Sequence, residues 1–200
     1  MKTRFLSAVL LSLVSVVAAS AATVTFSTTG SNFNGAGNSV TFGSVTLTHV
    51  ANSPDPFTAG LPSSPGFGLL TLSCSDANCT TGDPLNPVAA TFNLVINQSL
   101  PSIGSGTLTG VLSGSVSLYN GIAEITWGST ELTIGQIKYK LSQPVLNITT
   151  AFNPGNVAPA TLPTGTTSIQ GTVSAVPEPA TYAMLGSALL GLGLLRRRKA

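Results

Sequence analysis

From Val88 to Ile96 every second residue is apolar: Val88, Ala90, Phe92, Leu94 and Ile96 fall on one side of an extended chain. Successive side chains of a strand point to opposite faces, so this pattern demands one buried face and one open face. An antiparallel sheet supplies both. The alternation returns at Leu112, Gly114, Val116 and Leu118, and again at Ile137, Tyr139 and Leu141, with Lys138 and Lys140 between them. Away from the two ends, no stretch carries the apolar spacing of an amphipathic helix. Thr, Ser, Gly, Asn, Val and Leu dominate, with Pro scattered throughout, which suits short strands joined by tight turns.

The stretch "IAEITWGSTELTI", Ile122 to Ile134, reads as a hairpin turning at Gly128-Ser129. That pairing sets Trp127 against Thr130, Ile125 against Leu132 and Ala123 against Ile134 on an inward face. Further strands are predicted near 23–27, 39–49, 69–73, 145–149 and 167–173. About ten short strands separated by turn signals predict an all-β fold, an antiparallel β-sandwich or jelly-roll-like ectodomain. The Pro/Ser/Gly-rich segment Ala51–Gly68 is predicted to be a surface loop or irregular crossover. No repeat at solenoid or propeller spacing is present.

The two ends read differently. Lys2 and Arg4 precede an apolar stretch, Phe5 to Ala18, and the small residues Ala19-Ser20-Ala21, the pattern of a secretory signal peptide over 1–21 with cleavage at Ala21 or Ala22. At the other end, Ala180 to Leu195 carries no charge and ends in Arg196, Arg197, Arg198 and Lys199. As a helix this run covers ~24 Å against a ~30 Å hydrocarbon core, and the four basic side chains close the gap by reaching to the headgroups. Their charge holds that end in the cytoplasm and leaves the preceding chain outside. Pro177 and Pro179 keep the backbone around Glu178 extended, as a processing enzyme at the membrane surface requires.

Val176-Pro177-Glu178-Pro179, the Gly/Ala/Leu-rich run and the terminal Arg-Arg-Arg-Lys together resemble the PEP-CTERM sorting signal of Gram-negative bacteria. The resemblance covers the tail alone. It implies export through the inner membrane, transient anchoring there, and processing near the Pro-Glu-Pro motif by exosortase, an integral-membrane cysteine protease-like enzyme. It also implies an association with the cell surface, extracellular polysaccharide and biofilm.

Six of the eight basic residues lie in the two end segments. Between them stand Lys138 and Lys140 against Asp55, Asp76, Asp83, Glu124 and Glu131, two cations against five anions and so a formal charge of −3 where the whole chain has +2. Nucleic acid is thereby excluded as a partner, since its binding rests on Lys and Arg at phosphates.

Sites for chemistry are few. Cys74 and Cys79 enclose a turn-forming "SDAN", and in an exported protein the expected outcome is a disulfide closing that loop. His49, the single histidine, follows Val45 and Leu47 on an alternating strand and is expected to pack rather than catalyse. On the predicted hairpin Glu124 and Glu131 share a face, within the ~5–9 Å carboxylate separations of glycosidases. Trp127, Tyr119, Tyr139 and the loop residue Phe57 are candidates for stacking on sugar rings, although Trp127 and Tyr139 fall on core faces. No catalytic residue, metal or cofactor is assigned.

The chain thus divides into a signal peptide (1–21), a β-sandwich ectodomain (22–152), a Pro/Gly/Thr-rich stalk that can include a last strand (153–176), and the sorting signal with its transmembrane helix (177–200). The expected function is that of an exported cell-surface or exopolysaccharide-matrix protein with a structural or adhesive role, and not an enzyme. A carbohydrate-binding module is the alternative, and a secreted glycoside hydrolase a distant third.

Overall fold

The computed structural model describes residues 23–74, 79–80, 82–150, 165–176, 186 and 188. The expected signal peptide with Ala21 and Ala22, the whole 153–164 stretch, Pro177, Glu178, Pro179, all of the expected transmembrane run but residues 186 and 188, and Arg196 to Lys199 lie outside the described residues. Among the described residues fourteen strands follow in chain order: β1 (Thr23–Ser27), β2 (Asn32–Phe33), β3 (Ser39–Phe42), β4 (Val45–Val50), β5 (Phe57–Gly60), β6 (Gly66–Cys74) and β7 (Asn86–Pro87). The second half adds β8 (Ala90–Leu100), β9 (Gly104–Val116), β10 (Gly121–Trp127), β11 (Glu131–Ile134), β12 (Ile137–Leu141), β13 (Val145–Asn147) and β14 (Gly165–Ala175).

They form two antiparallel sheets. The first runs β13-β10-β9-β8-β1-β5, with β2 also paired to β8 and β7 to β9; the second runs β11-β12-β14-β6-β4-β3. The all-β expectation holds, and the strand regions expected near 23–27, 39–49, 69–73, 145–149 and 167–173 are all occupied by strands. The segment Ala51–Gly68 is more regular than its composition suggested, because β5 pairs along β1 and adds an edge strand to the first sheet.

One pairing differs from expectation. β10 and β11 do not form a hairpin. β10 is flanked on one side by β9, with Trp127 opposite Gly110, and on the other by β13, with Thr126 opposite Val145. Both of its edges are therefore filled. The segment Gly128–Thr130 instead carries the chain across to the second sheet, where β11 pairs with β12. Backbone bonds fix this crossing: Gly128 N–H donates to the Thr109 carbonyl (2.9 Å), and Leu141 N–H donates to that of Thr130 (2.8 Å). The inward face was nevertheless read correctly, since Ala123, Ile125, Trp127 and Ile134 are all buried.

The inner faces of the two sheets share one core. Val88, Ala90, Phe92, Leu94 and Ile96 are buried, as are Ile137, Tyr139 and Leu141. Gly114 departs from its predicted face: it is exposed at φ +106°, and a Cβ there would meet the Ile122 carbonyl oxygen at 2.1 Å, so only glycine lets β10 approach so closely. Phe26 lies against Phe57 (5.7 Å between ring centroids), Phe67 (5.6 Å) and Tyr139 (5.5 Å), joining β1 and β5 of one sheet to β6 and β12 of the other. A second group places Phe92 against Phe33, His49 and Trp127.

One polar link crosses this core. The Tyr139 hydroxyl donates to Gln98 Oε1 at 2.8 Å, and Gln98 Nε2 donates to the Ser102 carbonyl at 2.8 Å. Tyr139 and Gln98 are both buried, so each group depends on the other for satisfaction. Replacing Tyr139→Phe leaves the Gln98 oxygen without its donor. The expected loss is about 1–3 kcal/mol in chemical denaturation, and Gln98→Leu should add less to Tyr139→Phe than it costs alone.

Candidate functional site

The end of the second sheet that releases the C-terminal tail is built from two hairpin turns and a strand end. β14 runs between β12 and β6 as an interior strand, with Ala175 opposite Ile137 and Gly165 opposite Leu72. Residues 165–175, grouped above with the 153–176 segment, are therefore held in the sheet, 165–170 by β6 and 171–175 by β12. Beyond β14, Val176 N–H donates to the Gln136 carbonyl at 2.8 Å. Pro177 follows at once. Ordered pairing thus extends to the residue that precedes the Pro-Glu-Pro segment.

The other candidate residues do not assemble into a catalytic site. Glu124 lies on β10 of the first sheet, opposite Ser113 and Asn147, whereas Glu131 begins β11 of the second. The carboxylate pair expected on one hairpin face does not form, because the hairpin itself does not. Glu131 is instead bound by Lys138 Nζ (2.6 Å) and Lys140 Nζ (3.2 Å) on the neighbouring strand. Those lysines hold its carboxyl below the ordinary carboxylate range.

His49 is buried on β4, its ring tilted against that of Phe92 with 5.4 Å between centroids, and its Nε2 lies 3.4 Å from the Phe67 carbonyl oxygen. Burial lowers its pKa from the ordinary 6.5, and the Phe67 carbonyl opposes that shift in part. This is the packed histidine that its place in an alternating strand predicted. Trp127 and Tyr139 are likewise core residues, and desolvation raises the Tyr139 phenol above its ordinary 10.0. Tyr119 and Phe57 are half-buried, and Phe57 is a strand residue of β5 rather than a loop residue. Among the described residues no group of three or more His, Cys, Asp or Glu is placed to hold a metal ion.

Cys74 and Cys79 are joined by the expected disulfide, with their Cα atoms 5.9 Å apart. It closes the end of β6 at the pole opposite the tail exit. Closing so short a loop is worth about 2 kcal/mol on the chain-entropy account.

Sequence reasoning passed over several residues. Gln98 continues the inward parity of Phe92, Leu94 and Ile96, and a polar residue on that face was the available signal for a buried partner. The outer face of the second sheet carries a shallow groove of about 280 Å³ between Val50, Leu69, Ser168, Asn52 and Phe57. That groove arises where β4, β6 and β14 meet the Ala51–Ser53 segment and Phe57 of β5, and no local pattern announces it.

Fold and tail together define an all-β, two-sheet domain that feeds a C-terminal processing segment from an interior strand. Residues 175–199 match the family model of the PEP-CTERM protein-sorting motif, and the chain is in this respect a PEP-CTERM protein. The motif implies export and exosortase-mediated sorting to the cell surface. Neither the curated proteins nor the solved structures contain a significant match to the chain.

The histidine gives a test of the core around this site. Because the folded pKa of His49 is lowered, its contribution to stability is present above pH ~6.5 and is lost as pH falls toward the folded value. Denaturation midpoints between pH 7 and 5 should decline with a slope no steeper than about 1.4 kcal/mol per pH unit, and His49→Phe should flatten that decline. Asp83 and Glu131, also lowered, act only in the more acidic carboxylate range.

Proposed function

We propose that the protein is an exported structural or adhesive component of the cell surface or of an exopolysaccharide and biofilm matrix. Its tail serves as a disposable address. The run from Ala180 to Leu195 spans the inner membrane with Arg196, Arg197, Arg198 and Lys199 in the cytoplasm, and exosortase acts near Pro177-Glu178-Pro179 on the outer side. The observation that carries this reading is the position of the last sheet bond. Val176 is held by Gln136, so the sheet pairings of β14 all lie before the Pro-Glu-Pro segment. The Gram-negative setting belongs to the same proposal.

A structural role fits the surface better than an enzymatic one. The charged groups that could serve as acid and base are parted between two sheets, and Glu131 is neutralised by two lysines. Carbohydrate binding is the second reading, favoured by the groove beside Phe57. At about 280 Å³ it lies near the ~300 Å³ lower bound of small-ligand sites. Trp127 and Tyr139 cannot serve as stacking platforms there, since both are in the core.

Intact-mass analysis of exported protein tests the sorting reading. In cells with the processing enzyme the mature species should lack residues 180–200, and in cells without it the membrane fraction should retain them. A mature secreted protein that keeps those residues when the enzyme is present overturns the reading. Retention on the cell's own exopolysaccharide, abolished by Leu69→Asp in the groove, would favour carbohydrate binding over a purely structural role.

A further inference from the structure

We infer that the pole of the sandwich from which the tail leaves rests on the lipid surface while the precursor is anchored, with Ile103 and Leu100 seated among the headgroups. This rests on the proposed membrane span. Four segments meet at that pole: Gly60–Ser63, Leu100–Gly104, Gly135–Gln136 and Ala175–Val176. Their proximity is explicit. A Cβ on Gly135 would lie 2.7 Å from Ser102 Oγ, one on Gly104 would lie 2.6 Å from Ile134 Cγ2, and Gln136 holds Val176. Ser63 bridges to Val173 just above the exit. The start of the domain is there too, with Thr23 opposite Gly60 and Thr25 opposite Leu100.

Two features mark this pole, the second shared by Ile122, which is 80% exposed beside Asn120 at the far end. None of the four segments contains a charged residue. And on a domain whose open strand faces are mostly Thr, Ser and Asn, the turn between β8 and β9 presents Ile103 at 92% exposure beside Leu100 at 50%, with Val176 at 39% on the adjoining strand end. Turn tips normally carry Gly, Asn, Asp or Ser for their backbone preferences, and isoleucine offers none of these. Apolar side chains on uncharged segments can enter an interface with no ion of those segments to desolvate.

The tether length decides the occupant. From Val176 to the first residue of the apolar run, Ala180, the chain reaches at most roughly 14 Å at ~3.6 Å per residue. The headgroup layer is itself about 5–8 Å thick on each side. Fully stretched, the linker leaves less than about 10 Å of clearance, so the pole cannot leave the surface while the span is in place. A bilayer is the one partner that this geometry guarantees. Removal of the tail releases the contact, since three apolar side chains alone form a weak anchor.

The test uses the full, uncleaved chain in vesicles of phosphatidylethanolamine and phosphatidylglycerol. A single cysteine is introduced at Ile103→Cys, at Asn120→Cys on the opposite pole, or at Leu190→Cys within the apolar run, and labelled with an environment-sensitive fluorophore. Lipids carrying a nitroxide at the headgroup, or midway along the acyl chain, act as quenchers. The probe at 103 should lose most of its emission to the headgroup nitroxide, that at 190 to the acyl nitroxide, and that at 120 to neither. If 190 is quenched while 103 matches 120, the inference fails and the span stands. If 190 is not quenched, the span reading fails and takes the inference with it. A probe at 103 shielded from a water-soluble quencher yet untouched by either lipid marks a protein partner instead, a second copy of the chain included, and also overturns the proposal.

Discussion

Phe26 touches three rings drawn from three other strands, and the joining of the two sheets depends on that cluster. Its contacts with Phe67 and Tyr139 cross from the first sheet to the second, and Phe57 closes it from the edge strand β5. Edge and tilted contacts of this kind add to the area that each ring removes from water. Tyr139 then brings a hydroxyl into the same layer, and Gln98 answers it. Elsewhere in the core Phe92 of β8 meets His49 of β4, a further contact between the sheets. Apolar packing alone tolerates sliding, whereas a single buried donor and acceptor tie β12 to β8 at one level. That level sets the height of the Gly135–Gln136 turn, and hence where Val176 leaves the sheet.

Much of this was legible in the sequence, and the residues that were not show why. Alternation along a strand tells which side chains face a core, because the pleat repeats every two residues whatever the neighbour. Ala123, Ile125, Trp127 and Ile134 were therefore assigned correctly. Alternation does not tell which strand lies alongside. When a chain crosses a sandwich, both sheets present their apolar faces to the same core, so a crossover and a hairpin leave the same periodic trace. Gly128-Ser129 favoured the hairpin on local turn chemistry. The structure chose the crossover because β9 and β13 already fill both edges of β10. The glutamate pair was lost with the hairpin.

The sites followed the same division. Where chemistry is encoded in adjacent residues, as in the Cys74–Cys79 loop or the tail motif, the sequence was sufficient. His49 could be read as a packed residue from the parity of Val45 and Leu47. The groove on the second sheet could not be read, since Val50, Leu69 and Ser168 are neighbours only through the strand order β4-β6-β14. The kink that shapes its floor comes from Gly68 at φ +106°, where a Cβ would strike His49 Nε2 at 2.5 Å. That glycine allows both Phe67 and Leu70 to point inward and leaves Leu69 outside.

The position of β14 ties the fold to the tail more closely than a stalk would. In the second sheet β14 alone joins the pair β11-β12 to the trio β6-β4-β3. Until residues 165–175 are in place, that sheet is two fragments, and Phe67 and Tyr139 have no strand holding them at a common level. The chain is made from its N-terminus, so closure waits for β14, and the sorting motif follows it without a spacer. Pairings this distant in sequence form slowly, because loop entropy must be offset before the contacts contribute. A chain that has not closed its second sheet therefore has no fixed pole beside Pro177. The strand that completes the second sheet is the one that sets where the tail leaves it.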